Sequence, residues 1–308
     1  MVVLIKNKEI LNMKILKKIG WFIVSMLPAA LSLLLQIGCY ALVLFIYILQ
    51  EIAEQQGTLS LDEALNSVSV MSIYIENAIY VVVLYQLVGI LVFGLWYYLA
   101  YGRKKRPFGT EKPNIWKAAT IIWLGICIQI FISCILNLIL ELAPNLLRSY
   151  MELMETAGLT DLTVFSLTAA VILAPIGEEI LCRGIIFRLA EKVSSRFWIA
   201  NIIQAFAFAL LHGNLVQGTY AFFIGLALGY IYGKYRRIWL CMLLHCVING
   251  SSIFLENYFS LYPEGYDIAV MIGHAVISVL LMVLCFKLLG KRRPLAGETE
   301  TNTSILPE

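Results

Sequence analysis

Charge is what this sequence has least of. Only 14% of its 308 residues are Asp, Glu, Lys or Arg, while 60% are hydrophobic; soluble domains carry about 25% charged and about 45–50% apolar residues. That balance, with a mean hydropathy of +0.83, excludes an ordinary soluble domain. Histidine is scarce, at three residues. Cysteine occurs seven times, yet Cys39, Cys127, Cys134, Cys182, Cys241, Cys246 and Cys285 all lie in apolar stretches without a CxxC pair or a spaced disulfide framework. They read as small buried hydrophobes. The closing "SILPE" is no lipidation signal. No internal repeat is evident, and no linker sets off a soluble domain.

What is present is long apolar runs. A bilayer crossing takes about 20 apolar helical residues, and eight stretches qualify as candidates: 21–49, 78–100, 116–140, 162–187, 197–212, 217–233, 238–256 and 267–289. The fold class that follows is all-α, a polytopic membrane bundle of about eight transmembrane helices. The first run, from Trp21 to about Leu49, exceeds a signal peptide's apolar core and lacks a small-residue cleavage site, so it reads as an uncleaved span. Met13 is an alternative start. The fifth and sixth runs are short and could form one re-entrant hairpin, but two spans suit the charges better.

Those charges alternate. Twenty-two of the 23 basic residues fall on one side of the eight-span arrangement, including Arg103 to Arg106, Arg188, Lys192, Arg196, Lys234, Arg236, Arg237 and Lys291 to Arg293; only Arg148 falls opposite. The opposite loops carry Glu51, Glu54, Asp62, Glu63, Glu152, Glu155, Asp161, Glu264 and Asp267. The positive-inside rule then places both termini in the cytoplasm of a multi-pass cell-membrane protein. Because the basic residues are explained by topology, nucleic acid is not expected as a partner. The sixth span carries Ala221, Gly225, Gly229 and Gly233 at four-residue spacing, a stripe that lets helices pack closely.

Against this background "EEILCRG" (178–184) stands out. A charged side chain at a span's centre costs roughly 2.5–3.5 kcal/mol on insertion scales, so ionisable groups there are functional candidates. Glu179 and Arg183 stand at i, i+4 with the acid first, the favourable order for an ion pair. Glu178, about 100° away around the helix, is left without a partner on its own helix. His212 ends the fifth span, and His245 lies in the seventh with Asn249 one turn later. At 1.5 Å per residue from the nearest basic residues, Glu178, His245, Asn249 and His212 lie roughly 15, 12, 18 and 24 Å deep. Two glutamates, two histidines and an asparagine on three spans could therefore converge. His274 has no polar neighbour at helical spacing and reads as structural.

"EEILCRG", "FALLH" (208–212) and "HCVIN" (245–249) resemble, in order, the motifs EExxxR, FxxxH and HxxxN of the intramembrane glutamic endopeptidases, the CPBP family of CAAX-prenyl proteases and prokaryotic relatives in bacteriocin processing or self-immunity. The resemblance covers about residues 160–257. Cys182 departs from it, standing where the family usually has an aromatic. It implies that Glu178 is the catalytic base, that His212 orients the water, and that His245 and Asn249 stabilise the oxyanion, with Glu179 and Arg183 in support and no cofactor or metal. The substrate would be a membrane-associated peptide or protein, hydrolysed by Glu-activated water.

Residues 1–20 then read as a cytoplasmic segment, 21–160 as N-terminal transmembrane helices and loops, 161–257 as the catalytic core, 258–293 as the final transmembrane helix and 294–308 as a disordered cytoplasmic tail. Two other readings compete. One is a zinc hydrolase holding its metal on Glu178, His212 and His245 with one position left for water. The other is a non-catalytic immunity or scaffold protein that sequesters a bacteriocin or a partner membrane protein.

Overall fold

The computed structural model describes residues 2–54, 70–102, 111–156, 162–257 and 267–292. Several residues that carry the topology argument (Arg103 to Arg106, Asp62, Glu63, Asp161, Glu264 and Arg293) lie outside the described residues, as does the tail from 294. Among the described residues every regular element is helical, and the chain is an all-α polytopic membrane bundle.

In chain order the helices are α1 (Val2–Glu54), α2 (Val70–Tyr97, running on into a π turn at Tyr98–Gly102), α3 (Ile115–Leu142) and α4 (Pro144–Thr156). Then come α5 (Val164–Ala190), α6 (Phe197–Leu211), α7 (Leu215–Tyr235), α8 (Ile238–Asn257) and α9 (Ile268–Leu289). Seven helices are long and apolar enough to cross a membrane. The fifth expected span is helical but only 15 residues long, about 22 Å at 1.5 Å per residue, against a hydrocarbon core of about 30 Å. Two further differences from the sequence reading are additions. Helix α1 begins at Val2 rather than near Trp21, and α4, amphipathic rather than apolar, carries Leu147 buried between exposed Arg148 and Glu152.

The bundle is apolar outside and selectively polar inside. Leu91, Trp116, Trp123, Leu215 and Phe223 are exposed, while Gln86, Glu179, Arg183, Asn201, Gln204 and His245 are buried. That arrangement suits a lipid solvent, in which polar groups must find their partners within the protein. All seven cysteines are free thiols, six of them buried and Cys246 half-buried.

Helix α5 is the hub, contacted by α1, α2, α6 and α8. Two glycines let neighbours approach it. A Cβ on Gly177 would lie 2.8 Å from Gln86 Oε1, and one on Gly184 would lie 3.0 Å from the Tyr97 ring. The α7 stripe faces α6: a Cβ at Gly225, Gly229 or Gly233 would meet Ala205, Asn201 or Phe197. The stripe also frees backbone oxygens to accept from α6. Asn201 Nδ2 donates to Leu226 O at 3.1 Å, and Gln204 Nε2 donates to Gly225 O at 2.8 Å. Gly229→Ala would set a methyl 1.8 Å from Asn201 Oδ1 and displace these buried amides. Overpacking costs about 1–3 kcal/mol and stranded polar groups a similar amount, more than the ~1 kcal/mol of helix propensity gained. A lower unfolding midpoint in detergent is the expected result; an unchanged midpoint would mean that α6 and α7 do not pack this closely.

The C-terminus of α9 is held by side chains from two other helices. Lys117 of α3 donates to the Leu288 and Leu289 carbonyls, Tyr230 of α7 donates to Gly290 O at 3.1 Å, and Lys234 donates to Lys291 O at 2.8 Å. These satisfy carbonyls that a helix end otherwise leaves open, with the positive charge the macrodipole favours there.

Candidate active site

The site forms on α5, where the helix departs from α geometry twice. Ala169–Leu173 and Ile180–Ile186 are π-helical, with the α-helical stretch Ala174–Glu179 between them. Short π segments inside α-helices are frequent at functional sites. The local sequence supplies a cause for the first, since Pro175 has no N–H to continue the α ladder. Glu178 and Glu179 close the α-helical stretch, about 100° apart around its axis.

Glu179 is fully buried. Its Oε1 accepts from Arg183 Nη1 at 2.8 Å and from His245 Nδ1 at 2.9 Å, so the pairing expected from i, i+4 spacing forms and gains a third member from α8. Arg183, also fully buried, donates from Nη2 to Gly225 O at 3.3 Å and lies over the Phe208 ring at 4.7 Å. Isolated charges at this depth would be prohibitively desolvated; this pair is held by hydrogen bonds and a cation–π contact. Glu178 differs. Its side chain keeps 22% exposure, and its nearest ionic neighbour is His245 Nε2 at 3.8 Å, beyond hydrogen-bond reach.

His245 stands between the two carboxylates. A carboxylate only accepts, so the ring nitrogen facing Glu179 is the one that carries a proton. Nδ1 is thereby committed to Glu179, and Nε2 is directed toward Glu178. His212 is placed differently. Its Nδ1 donates to Phe208 O at 2.7 Å, one turn back on α6. It joins the group through Phe208, whose ring meets His212 edge-on at 4.7 Å and His245 at 5.6 Å. Asn249 lies one turn beyond His245, and its Nδ2 donates to Ala170 O at 2.8 Å.

The structure thus brings Glu178, Glu179, Arg183 and His245 together, with Asn249 reaching α5 at the first π segment and His212 linked by an aromatic ring. Among the described residues no three His, Cys, Asp or Glu side chains converge to hold a metal ion, so the set Glu178, His212 and His245 is not assembled as a ligand sphere. Cys182 is buried beside Arg183, as packing. His274 lies on α9, which packs chiefly on α3.

Sequence reasoning gave no role to Phe208, Pro175, Asn201 or Gln204. Signals for three of them were present: a proline two residues before the glutamate pair's glycine, and two amides at i, i+3 in an otherwise apolar helix facing a stripe of small residues. Nothing local distinguishes Phe208 from the other phenylalanines of α6.

Comparison with known proteins bears on the same stretch. Residues 160–251 match the family model described as Rce1-like, type II CAAX prenyl endopeptidase Rce1-like. The Bacillus subtilis (strain 168) protein named "Putative membrane peptidase YdiL" is 30% identical over 86 residues, covering 28% of this chain and 34% of that protein. The chain therefore matches about a third of that relative's length. No solved structure matches.

Proposed function

Residues 160–251 belong to the Rce1-like family of CAAX-type membrane endopeptidases, and from that premise we propose that the protein is a glutamate-dependent intramembrane endopeptidase. Its substrate is a peptide bond in a membrane-associated peptide or protein. The observation that carries the reading is the division of labour between adjacent glutamates. Glu179 is spent on Arg183 and His245 in the dry interior, while Glu178 is partly exposed beside His245 Nε2 and bonded to neither.

In this reading Glu178 takes a proton from water as the water oxygen adds to the scissile carbonyl carbon. The carbonyl electron pair moves onto oxygen, and His245 Nε2, when protonated, donates to that oxyanion. Collapse of the tetrahedral intermediate breaks the C–N bond, and the leaving amine takes the proton back from Glu178. Glu179 and Arg183 act as support: the carboxylate fixes the His245 ring through Nδ1, as orienting partners of catalytic imidazoles do. His212, with Nδ1 committed to Phe208 O, presents Nε2 as an acceptor that can orient the attacking water.

The test compares membrane and secreted peptides from cells expressing wild type or Glu178→Gln at matched levels. Peptide termini produced by wild type and absent with the variant are the expected result, and their sequences give the substrate. Identical peptide sets with an intact cellular phenotype would favour the non-catalytic scaffold.

We also place both termini in the cytoplasm, on the alternation of basic and acidic residues along the sequence. The short α6 then crosses with its polar residues covered by α7. A C-terminal reporter active only in the cytoplasm is expected to be active on the full chain; an inactive one would put α6 on one side of the bilayer as a re-entrant piece.

A further inference from the structure

Every backbone carbonyl buried in a membrane helix needs a donor, and one in α5 has lost both of its ordinary ones. In an α-helix the Ala170 carbonyl would accept from the Ala174 N–H; here that N–H goes to Ala169 O, five residues back. In a π-helix Ala170 would accept from residue 175, but residue 175 is proline and has no N–H. The donor that reaches Ala170 O is Asn249 Nδ2, at 2.8 Å. Because a carbonyl can only accept, the Asn249 amide must present its nitrogen there. The neighbouring backbone is in contact too, since a Cβ on Gly250 would lie 3.6 Å from Val171 Cγ1.

We infer that Asn249 is a positioning residue: its amide replaces the backbone donor that Pro175 lacks and thereby holds α5 in the π register that points Glu178 and Glu179 to different sides. Helix α8 grips α5 at two points, Asn249 on Ala170 before the glutamates and His245 on Glu179 within them. Between these grips the α-helical stretch Ala174–Glu179 has one rotational setting. The inference rests on Glu178 acting as the base, and it gives Asn249 a role through the helix rather than through contact with the substrate.

Pro175 supplies the test, because Pro175→Ala restores an N–H to this turn. Whether the turn stays π or relaxes to α, the Ala170 carbonyl then has a backbone donor, and the need for Asn249 disappears. The four full-length proteins (wild type, Asn249→Ala, Pro175→Ala and the double variant) are compared in detergent by unfolding midpoint, and in cells by the yield of Glu178-dependent peptide termini. With Pro175 present, Asn249→Ala is expected to lower the midpoint by at least about 3 °C and the yield by roughly ten- to a hundredfold, the scale of a stranded buried polar group. In the Pro175→Ala background the same substitution should cost less than about a third of that midpoint shift and under about fivefold in yield. If Asn249→Ala does not fold, Asn249→Asp, isosteric but without the donor, replaces it in both backgrounds.

A cost on yield that is equal in the two backgrounds overturns the inference and makes Asn249 a direct donor to the reacting oxygen. An equal cost on the midpoint overturns the Ala170 assignment itself. If wild type yields no Glu178-dependent termini, the peptidase reading fails, and the midpoint cycle still decides what Asn249 holds.

Discussion

Glu178→Gln is expected to lower turnover by on the order of 10³-fold while leaving the bundle folded. The first half follows from the chemistry. Gln is isosteric but cannot take a proton from water, and a positioned general base contributes typically 10²–10⁴ in rate. The second half follows from the geometry. Glu178 is partly exposed, donates to nothing and accepts from nothing within hydrogen-bond distance, its closest ionic contact being 3.8 Å away. Neutralising it removes no buried bond, so the unfolding midpoint in detergent should stay within about 2 °C of wild type, the range of substitutions away from packed or paired features. The measurement is turnover of the peptide identified from cells, alongside that midpoint. Retained turnover would move the base elsewhere; a collapsed midpoint would mean that Glu178 belongs to the structural network after all.

Arg183→Met should do the reverse, acting first on folding. It leaves Glu179 fully buried with Oε1 accepting from His245 alone, and Oε2 already has no partner among the described residues. Removing one member of a buried ion pair costs about 3–5 kcal/mol, because the remaining charge is uncompensated, and the stacking over Phe208 is lost as well. The expected outcome is a sharply lower midpoint and poor recovery of monodisperse protein. Adding Glu179→Gln to Arg183→Met removes the stranded charge and should restore part of the loss, so the pair must be non-additive. An Arg183→Met protein as stable as wild type would mean that water reaches Glu179, which its complete burial argues against.

These opposite fates of neighbouring glutamates were largely legible in the sequence. The i, i+4 spacing assigns Glu179 to Arg183 and leaves Glu178 over, and the structure forms that pair. The spans were legible too, because an apolar run long enough to cross lipid leaves a clear trace in composition. What stayed hidden was whatever depends on which faces meet. The sharing of Glu179 by His245 joins residues 66 apart, and no spacing rule reaches that far. The buried amides Asn201 and Gln204 find their acceptors on α7, through carbonyls that only the absence of side chains at Gly225 and Gly229 makes reachable. Helix α4 is invisible to a search for apolar runs because half its surface is polar. The length of α6 was misjudged by the same method, since hydropathy extends through His212 while the helix ends at Leu211 and turns at Gly213, whose φ of +64° suits glycine.

The two π segments of α5 have a consequence for how such a site is altered by mutation. Each carries one residue more than the α ladder would need over the same hydrogen-bonded stretch, so each is, in genetic terms, a single extra codon. Losing one codon from the stretch encoding Ala169–Leu173 would return it to α count and advance all that follows by one place, about 100° of rotation. Glu179 would then arrive where Glu178 now faces the opening, and Ile180 would be left opposite His245. The reading frame of one helix, rather than the mere presence of two glutamates, decides which carboxylate meets water.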